Sequence, residues 1–588
     1  MLGCALLLPS LAQKEGDPAG PRNFTKDVAV PMRDGVVLRA DVWLPGATGR
    51  FPTLVYRTPY GKHLATKQTT FQHAIERGYA LVICDVRGRY ASDGEFWPYQ
   101  NEGRDGYDTI EWAAKQPWST GEVGTFGLSY PGAVQWLAAV ENPPHLKAMV
   151  PAMTFSTPRN FFYSGGVFDG SWLDWTWFNI APDLRKKKNL PGPRTHQEAA
   201  AVWKTEHERM QNFLPLGELP DLKGVAPFYY EWMKHPPTDP WWDFAELRGK
   251  YAQTHAAVLN ISGWYDEAYG PDGATTNFNG LLAARKAEQN PRTRTIIGPW
   301  THGGQEEHRS GAREFGPAAA IDYDELILRW MDRYVRGMDN GVGSEKPVRI
   351  FVMGTNVWRD EQEWPLKRAK EARYFLGSPP QLEPAPGQGY LTIGKLGRKT
   401  DPGPFGFTLM VSDPTHPVSD PYTEYGAHDY RMLADHQNAI AFDTEPLAED
   451  TEVTGPIHAE IFVSAEDVSD FDLWVRVLDV APDGTALNLM SPGLDVLRAS
   501  YRRESLKPDL LKKDHVYKLK LDRMLMSNVF LTGHRIRVQI SGAFFPHFAR
   551  NLQTGKSEMI SADTKLGHIR IHHGGRYQSS ILLPVVSR

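Results

Sequence analysis

An α/β core interrupted by a helical insertion and followed by an all-β domain is the fold class this sequence predicts. Three observations predict it. Strand-like and helix-like segments alternate over the first third of the chain, as in a mainly parallel sheet with helices on both faces. The alternation lapses between residues 156 and 250, where aromatics and prolines crowd together and strand candidates are few. From residue 348 onward, short alternating segments are separated by Gly, Pro and Asp turns, the pattern of an antiparallel sandwich or jelly roll.

Residues 36–43 have strand character and 52–56 form an apolar run. Residues 71–77 read as a helix stopped by Gly78, and 80–86 as another strand. A helix over 106–114, a strand over 123–126, a helix over 133–140 and a strand over 146–153 follow. Inside the insertion, 197–213 is helical. The alternation resumes with a strand at 256–261, a helix at 275–287 and a strand at 293–297. The helix over 323–336 places Leu326, Trp330 and Tyr334 at helical spacing. Residues 337–346 form a connecting loop, and 459–463, 473–480 and 535–541 read as strands of the last domain. The expected units are a core made of 21–155 and 251–346, a helical cap over 156–250, and a jelly roll over 347–588.

At 588 residues the chain is too long for one core, and its length suggests roughly three or four domains. Hydrophobic residues at 41% and charged residues at 23% place it among ordinary globular proteins. A formal net charge of -5 gives no reason to expect nucleic acid or an anionic membrane as partner. No stretch has the apolar length of an integral membrane segment. Two cysteines are too few for a cysteine-built zinc site, and Cys84, within a strand-like run, reads as a small buried hydrophobe. No metal or cofactor is expected, and the oligomeric state stays open. Residues 1–20 begin MLGCALLLPSL, an apolar segment with a small-residue cleavage pattern but no basic start. The expectation is a truncated signal segment and a secreted or periplasmic protein, with a cytoplasmic location as the alternative.

The most informative stretch is 123–140, VGTFGLSYPGAVQWLAAV. Strand residues run into Gly127-Leu128-Ser129-Tyr130-Pro131-Gly132, and a helix follows at once. This is the strand–tight turn–helix context of a nucleophile elbow, which lifts Ser129 above the sheet. The competing reading is an ordinary strand-to-helix turn. A serine hydroxyl needs a base, and the base needs an orienting carboxylate. In an α/β-hydrolase core the order is Ser, then Asp or Glu, then His. Asp266 follows the strand at 256–261 and His302 follows the strand at 293–297, each at the end where open α/β sheets bind ligands. Glu267 rivals Asp266, and His302 is one of nineteen histidines. The elbow makes the Tyr130 N–H one oxyanion donor. Tyr60, in the loop Arg57-Thr58-Pro59-Tyr60-Gly61-Lys62, is a candidate second donor through its hydroxyl, with a packing role as the alternative.

These residues carry a resemblance. Val30-Pro31-Met32-Arg33-Asp34-Gly35, Arg57-Thr58-Pro59-Tyr60, Asp85-Val86-Arg87-Gly88 with Ser92-Asp93-Gly94-Glu95-Phe96, the elbow, Gly263-Trp264-Tyr265-Asp266 and Gly298-Pro299-Trp300-Thr301-His302 resemble the cocaine esterase and α-amino-acid ester hydrolase family. That group includes glutaryl-cephalosporin acylases, and X-Pro dipeptidyl-peptidases are more distant relatives. The resemblance spans nearly the whole chain and implies an α/β-hydrolase core, helical cap and jelly roll. It implies Ser129 as nucleophile, Asp266 as orienting acid, His302 as base, and Tyr60 with Tyr130 as oxyanion hole. The elbow also matches the family's G-x-S-Y-x-G form.

Specificity does not carry over. The α-amino-acid ester hydrolases have acids two and three positions after the triad aspartate, where Ala268 and Tyr269 stand here; only Glu267 adds a charge nearby. The cocaine esterase has an aromatic residue at the Ala268 position. Trp172, Trp175, Trp177 and Phe178 of the cap are candidates for an aromatic wall around an acyl group, with packing inside the cap as the other reading. The expected activity is cofactor-independent cleavage of small ester, or amide, substrates through an acyl-enzyme. The alternatives are an X-Pro-type dipeptidyl-peptidase or β-lactam/glutaryl acylase, and a binding protein using the jelly roll.

Overall fold

A computed structural model describes residues 23–288, 292–377, 393–397, 406–435, 439–490, 492–503, 506–542 and 544–587. The expected signal segment lies outside the described residues. Ten strands form the first sheet. Phe51–Thr58, Ala80–Asp85, Ser119–Leu128, Leu146–Ala152, Ala257–Tyr265, Thr293–Thr301 and Val348–Val352 pair in parallel. Burial on both faces explains their composition: all six residues of Ala80–Asp85 and all nine of Ala257–Tyr265 are buried. Phe24–Pro31 and Val37–Trp43 add an antiparallel hairpin at one edge. Val348–Val352 and Val357–Glu361 close the other.

The first sheet continues past the expected limit at residue 346 through those last two strands. An alternating segment such as Val348–Val352 reads equally well as a strand of either domain; its pairing with Thr293–Thr301 decides the matter. Residues 337–346 include a short 3-10 turn, Val342–Ser344. The helix Tyr323–Tyr334 buries Ile327, Leu328, Trp330 and Met331, a stripe rotated from Leu326 and Tyr334, and starts on the Asp322 side chain.

Helices cover both faces. All ten residues of Tyr130–Ala139 are buried beneath the sheet. Glu102–Ala114 packs on it so closely that a Cβ on Gly106 would lie 2.5 Å from Ala138 Cβ. Between Leu146–Ala152 and Ala257–Tyr265 the chain is mostly helical, and aromatic rings fill this cap. The C-terminal all-β domain centres on Thr451–Ala465, which pairs antiparallel with Tyr517–Phe530 and Ser580–Val586. One described pairing of strands there is parallel, between Ile393–Gly397 and Ala439–Asp443. No helix of the described residues is long and apolar enough to cross a membrane.

The strands Ala257–Tyr265 and Thr293–Thr301 keep register from Thr293 opposite Val258 to Gly298 opposite Gly263. A Cβ on Gly263 would lie 2.1 Å from the Trp300 carbonyl oxygen. Gly263→Ala must part the two strands, and overpacking of this kind costs about 1–3 kcal/mol. Thermal unfolding should show a midpoint several degrees lower than wild type; an unchanged midpoint would mean that the strands separate freely.

Candidate functional site

Ser129 sits between a strand that ends at Leu128 and a helix that begins at Tyr130. Its backbone has φ 69° and ψ -128°, a region costly for a residue with a side chain. The surroundings enforce that turn. Ser129 N–H donates to the Ala152 carbonyl at 3.0 Å. Gly127 has φ 144°, and a Cβ there would meet Pro131 Cβ at 2.6 Å. A Cβ on Gly132 would meet the Ala152 carbonyl oxygen at 2.6 Å. Ser129 remains partly exposed at the top of the sheet.

Asp266 and His302 follow two neighbouring strands, and the structure brings them together. His302 Nδ1 lies 2.8 Å from Asp266 Oδ1. Asp266 Oδ1 also accepts the Ala268 N–H at 3.2 Å and the Tyr269 N–H at 3.4 Å, and Ser262 Oγ donates to Oδ2 at 3.4 Å. Ala268 thus serves through its backbone. Burial opposes charging the His302 imidazole, but the Asp266 carboxylate outweighs it and holds the pKa above the usual 6.5.

Glu267 is turned the same way. Its Oε2 accepts the backbone N–H of His302 at 3.0 Å. Burial pushes its carboxyl up to about 7, against the pull of His302 and with a push from Asp266.

The Tyr60 hydroxyl accepts the Trp175 indole N–H at 3.1 Å. Both Tyr60 and Tyr269 hydroxyls interact with the Ser129 side chain. Burial raises the phenol pKa of each, so both stay neutral donors at physiological pH. Tyr269 also meets the Tyr99 hydroxyl at 3.3 Å, and its ring lies 5.6 Å from the imidazole.

Tyr130, as first residue of its helix, presents an N–H that the helix itself cannot satisfy. Its side chain fixes that N–H in place. The Tyr130 hydroxyl donates to Glu102 at 2.8 Å and accepts the Tyr99 N–H at 3.0 Å. Its ring stacks on Tyr99 at 4.2 Å and runs parallel to Trp175 at 6.3 Å. Glu102 in turn forms a buried ion pair with Arg57 at 2.7 Å. Sequence reasoning missed Tyr99, Glu102 and the anchoring role of Arg57. Their separation in the chain gave no signal, although Arg57 lies in a motif already singled out.

The cap candidates divide. Trp175 reaches the site through Tyr60. Trp172 is buried with Phe161 and Phe162 and donates to the Phe161 carbonyl at 3.2 Å. Trp177 and Phe178 instead pack around Trp203. Phe155 and Phe161 face Tyr269, and Leu494 of the all-β domain packs on Gly270. Among the described residues, no group of three or more His, Cys, Asp or Glu side chains is placed to hold a metal ion.

Comparison with known proteins fits this arrangement. Residues 34–304 match the X-Pro dipeptidyl-peptidase (S15 family) profile, and residues 340–582 match the X-Pro dipeptidyl-peptidase C-terminal non-catalytic domain. Cocaine esterase from Rhodococcus sp. (strain MB1 Bresler) is 32% identical, covering 97% of this chain and 100% of that protein. The chain belongs to the cocaine esterase and α-amino-acid ester hydrolase family. An α-amino acid ester hydrolase structure shares the fold at a TM-score of 0.80, with 23% identity over 99% of this chain and all of that one. An aminopeptidase from a marine sediment Thaumarchaeota archaeon shares it at 0.79, with 22% identity over 98% and 99% of the two chains. The chain is therefore a hydrolase of a serine-hydrolase family.

The burial of Glu267 sets a pH-dependent stability. Its folded carboxyl titrates at about 7 rather than 4.5. Between those values the folded state binds more protons than the unfolded one, so stability falls as pH rises. Glu267→Gln should raise the unfolding midpoint at pH 8 and change it little at pH 4.5, as read by thermal denaturation at the two pH values.

Proposed function

We propose that this protein hydrolyses esters of small apolar or aromatic acids through a covalent acyl-enzyme on Ser129. The observation that carries the reading is the 2.8 Å contact between His302 Nδ1 and Asp266, in a site that also holds Ser129 on a strained, partly exposed turn. His302 Nε2 takes the Ser129 proton as Oγ attacks the ester carbonyl carbon. Asp266 fixes the Nδ1–H tautomer and stabilises the imidazolium. The tetrahedral oxyanion accepts hydrogen bonds from the Tyr130 N–H and the Tyr60 hydroxyl. Trp175 occupies an acceptor site on Tyr60, which leaves the phenol proton to be donated. The imidazolium then protonates the leaving alcohol, and His302 activates water to release the acid.

Aromatic side chains around Ser129 suit an apolar acyl group. Glu267, the acid nearest the triad, is committed to the His302 N–H, and the hydroxyl of Tyr269 is neutral. This favours uncharged substrates over those recognised through an ammonium group. The relative named cocaine esterase is consistent with ester cleavage.

Hydrolysis of p-nitrophenyl acetate, butyrate, phenylacetate and an unblocked amino-acid ester tests the reading. Wild type should turn over the butyrate and phenylacetate best, and Ser129→Ala should lower kcat by about 10⁴-fold or more. Turnover equal in both proteins would sink the proposal. Tyr60→Phe should keep KM within a few-fold and lower kcat by about 10²-fold, the usual effect of removing one oxyanion donor. An unchanged kcat in Tyr60→Phe would remove Tyr60 from the oxyanion hole.

A further inference from the structure

Glu267 is a buried acid outside the triad. It is 8% exposed, it adjoins Asp266 in the chain, and it accepts the His302 backbone N–H. The titratable groups that act most strongly on it are His302 and Asp266. Tyr269, against the imidazole face, is neutral. A carboxylate withdrawn from water is costly unless a cation meets it. The cation available here is the imidazolium, which exists when His302 has taken the serine proton.

We propose that Glu267 is a positioning residue that holds the His302 backbone in place and supplies a second negative charge favouring the imidazolium. The proposal deepens, and rests on, the reading of His302 as general base. Two effects follow from the one contact. The hydrogen bond to the His302 N–H sets where the imidazole leaves the chain, which keeps Nδ1 directed at Asp266. Glu267 carries its charge as the pH rises through about 7, and the charge then acts when the proton passes from Ser129 Oγ to His302 Nε2, because the positive ring faces two carboxylates instead of one. In this low-dielectric setting their attraction is screened less than in water.

Glu267→Gln keeps an acceptor for the His302 N–H but removes the charge, and Glu267→Ala removes both. In the pH profile of kcat/KM on p-nitrophenyl butyrate, Glu267→Gln should move the acid limb to lower pH, since loss of a neighbouring carboxylate makes the imidazole easier to deprotonate. It should lower kcat about tenfold on the plateau with KM within about twofold. Glu267→Ala should lose more. A merely structural residue would leave the limb in place.

A second measurement is independent of turnover. In Ser129→Ala protein, the downfield His302 Nδ1–H resonance is titrated with and without Glu267→Gln, and the midpoint should fall in the double variant. Unmoved midpoint and unmoved acid limb would overturn the proposal. If wild type shows no Ser129-dependent turnover, the hydrolase reading fails, while the titration still decides whether Glu267 is coupled to the imidazole.

Discussion

The contact between His302 Nδ1 and Asp266 Oδ1 joins two loops, and its 2.8 Å length depends on one pair of parallel strands. Ala257–Tyr265 and Thr293–Thr301 release those loops side by side. Anchors away from these loops hold both strands. The Trp264 indole donates to the Phe351 carbonyl at 2.8 Å, the Tyr265 hydroxyl to the Asn488 carbonyl at 2.9 Å, and the Trp300 indole to the Ala319 carbonyl at 2.8 Å. Asn488 lies in the all-β domain, so that domain braces the strand that delivers Asp266. Met353, directly after the strand Val348–Val352, exchanges backbone hydrogen bonds with Ser527 and Val529 and adds a second brace. The all-β domain thus has a mechanical part in the site.

Around Ser129 the controlling feature is how firmly the neighbouring tyrosines are held. Tyr60 and Tyr269 interact with the Ser129 side chain and Tyr130 follows it in the chain, and each of the three is fixed by a polar partner away from Ser129. Trp175 donates to Tyr60, Glu102 accepts from Tyr130, and Tyr99 pairs with Tyr269. Fixed donors need no reorganisation when charge develops on the substrate, which is where such sites gain most of their rate. Burying Glu267 beside the same imidazole sets stability against function, a common feature of active sites.

Much of this is legible in the sequence. The alternation of strands and helices, its lapse over the cap and the change of texture near residue 348 all follow from periodicity. The pairing of Asp266 with His302 follows from chain order and from placement just past two strands. Other features were not legible, for physical reasons. Phe24–Pro31 is a polar edge strand with most residues facing solvent, so it carries no apolar run. Val348–Val352 alternates, and alternation does not say which sheet a strand joins. Tyr99 has φ 66°, a left-handed conformation that no local signal marks. The Arg57–Glu102 pair that anchors Tyr130 connects residues far apart in sequence. The two aromatics of Gly263-Trp264-Tyr265-Asp266 stood in plain sight, but their carbonyl partners lie far along the chain, at Phe351 and Asn488.

The central claim is that Ser129 is made nucleophilic by His302. Peptide mapping after reaction with a fluorophosphonate tests it most directly, with the rate of labelling compared between wild type and His302→Ala. The account predicts a single adduct on Ser129, formed at least 10²-fold more slowly when His302 is removed. An adduct on another residue, or labelling of Ser129 at an undiminished rate without His302, would contradict it.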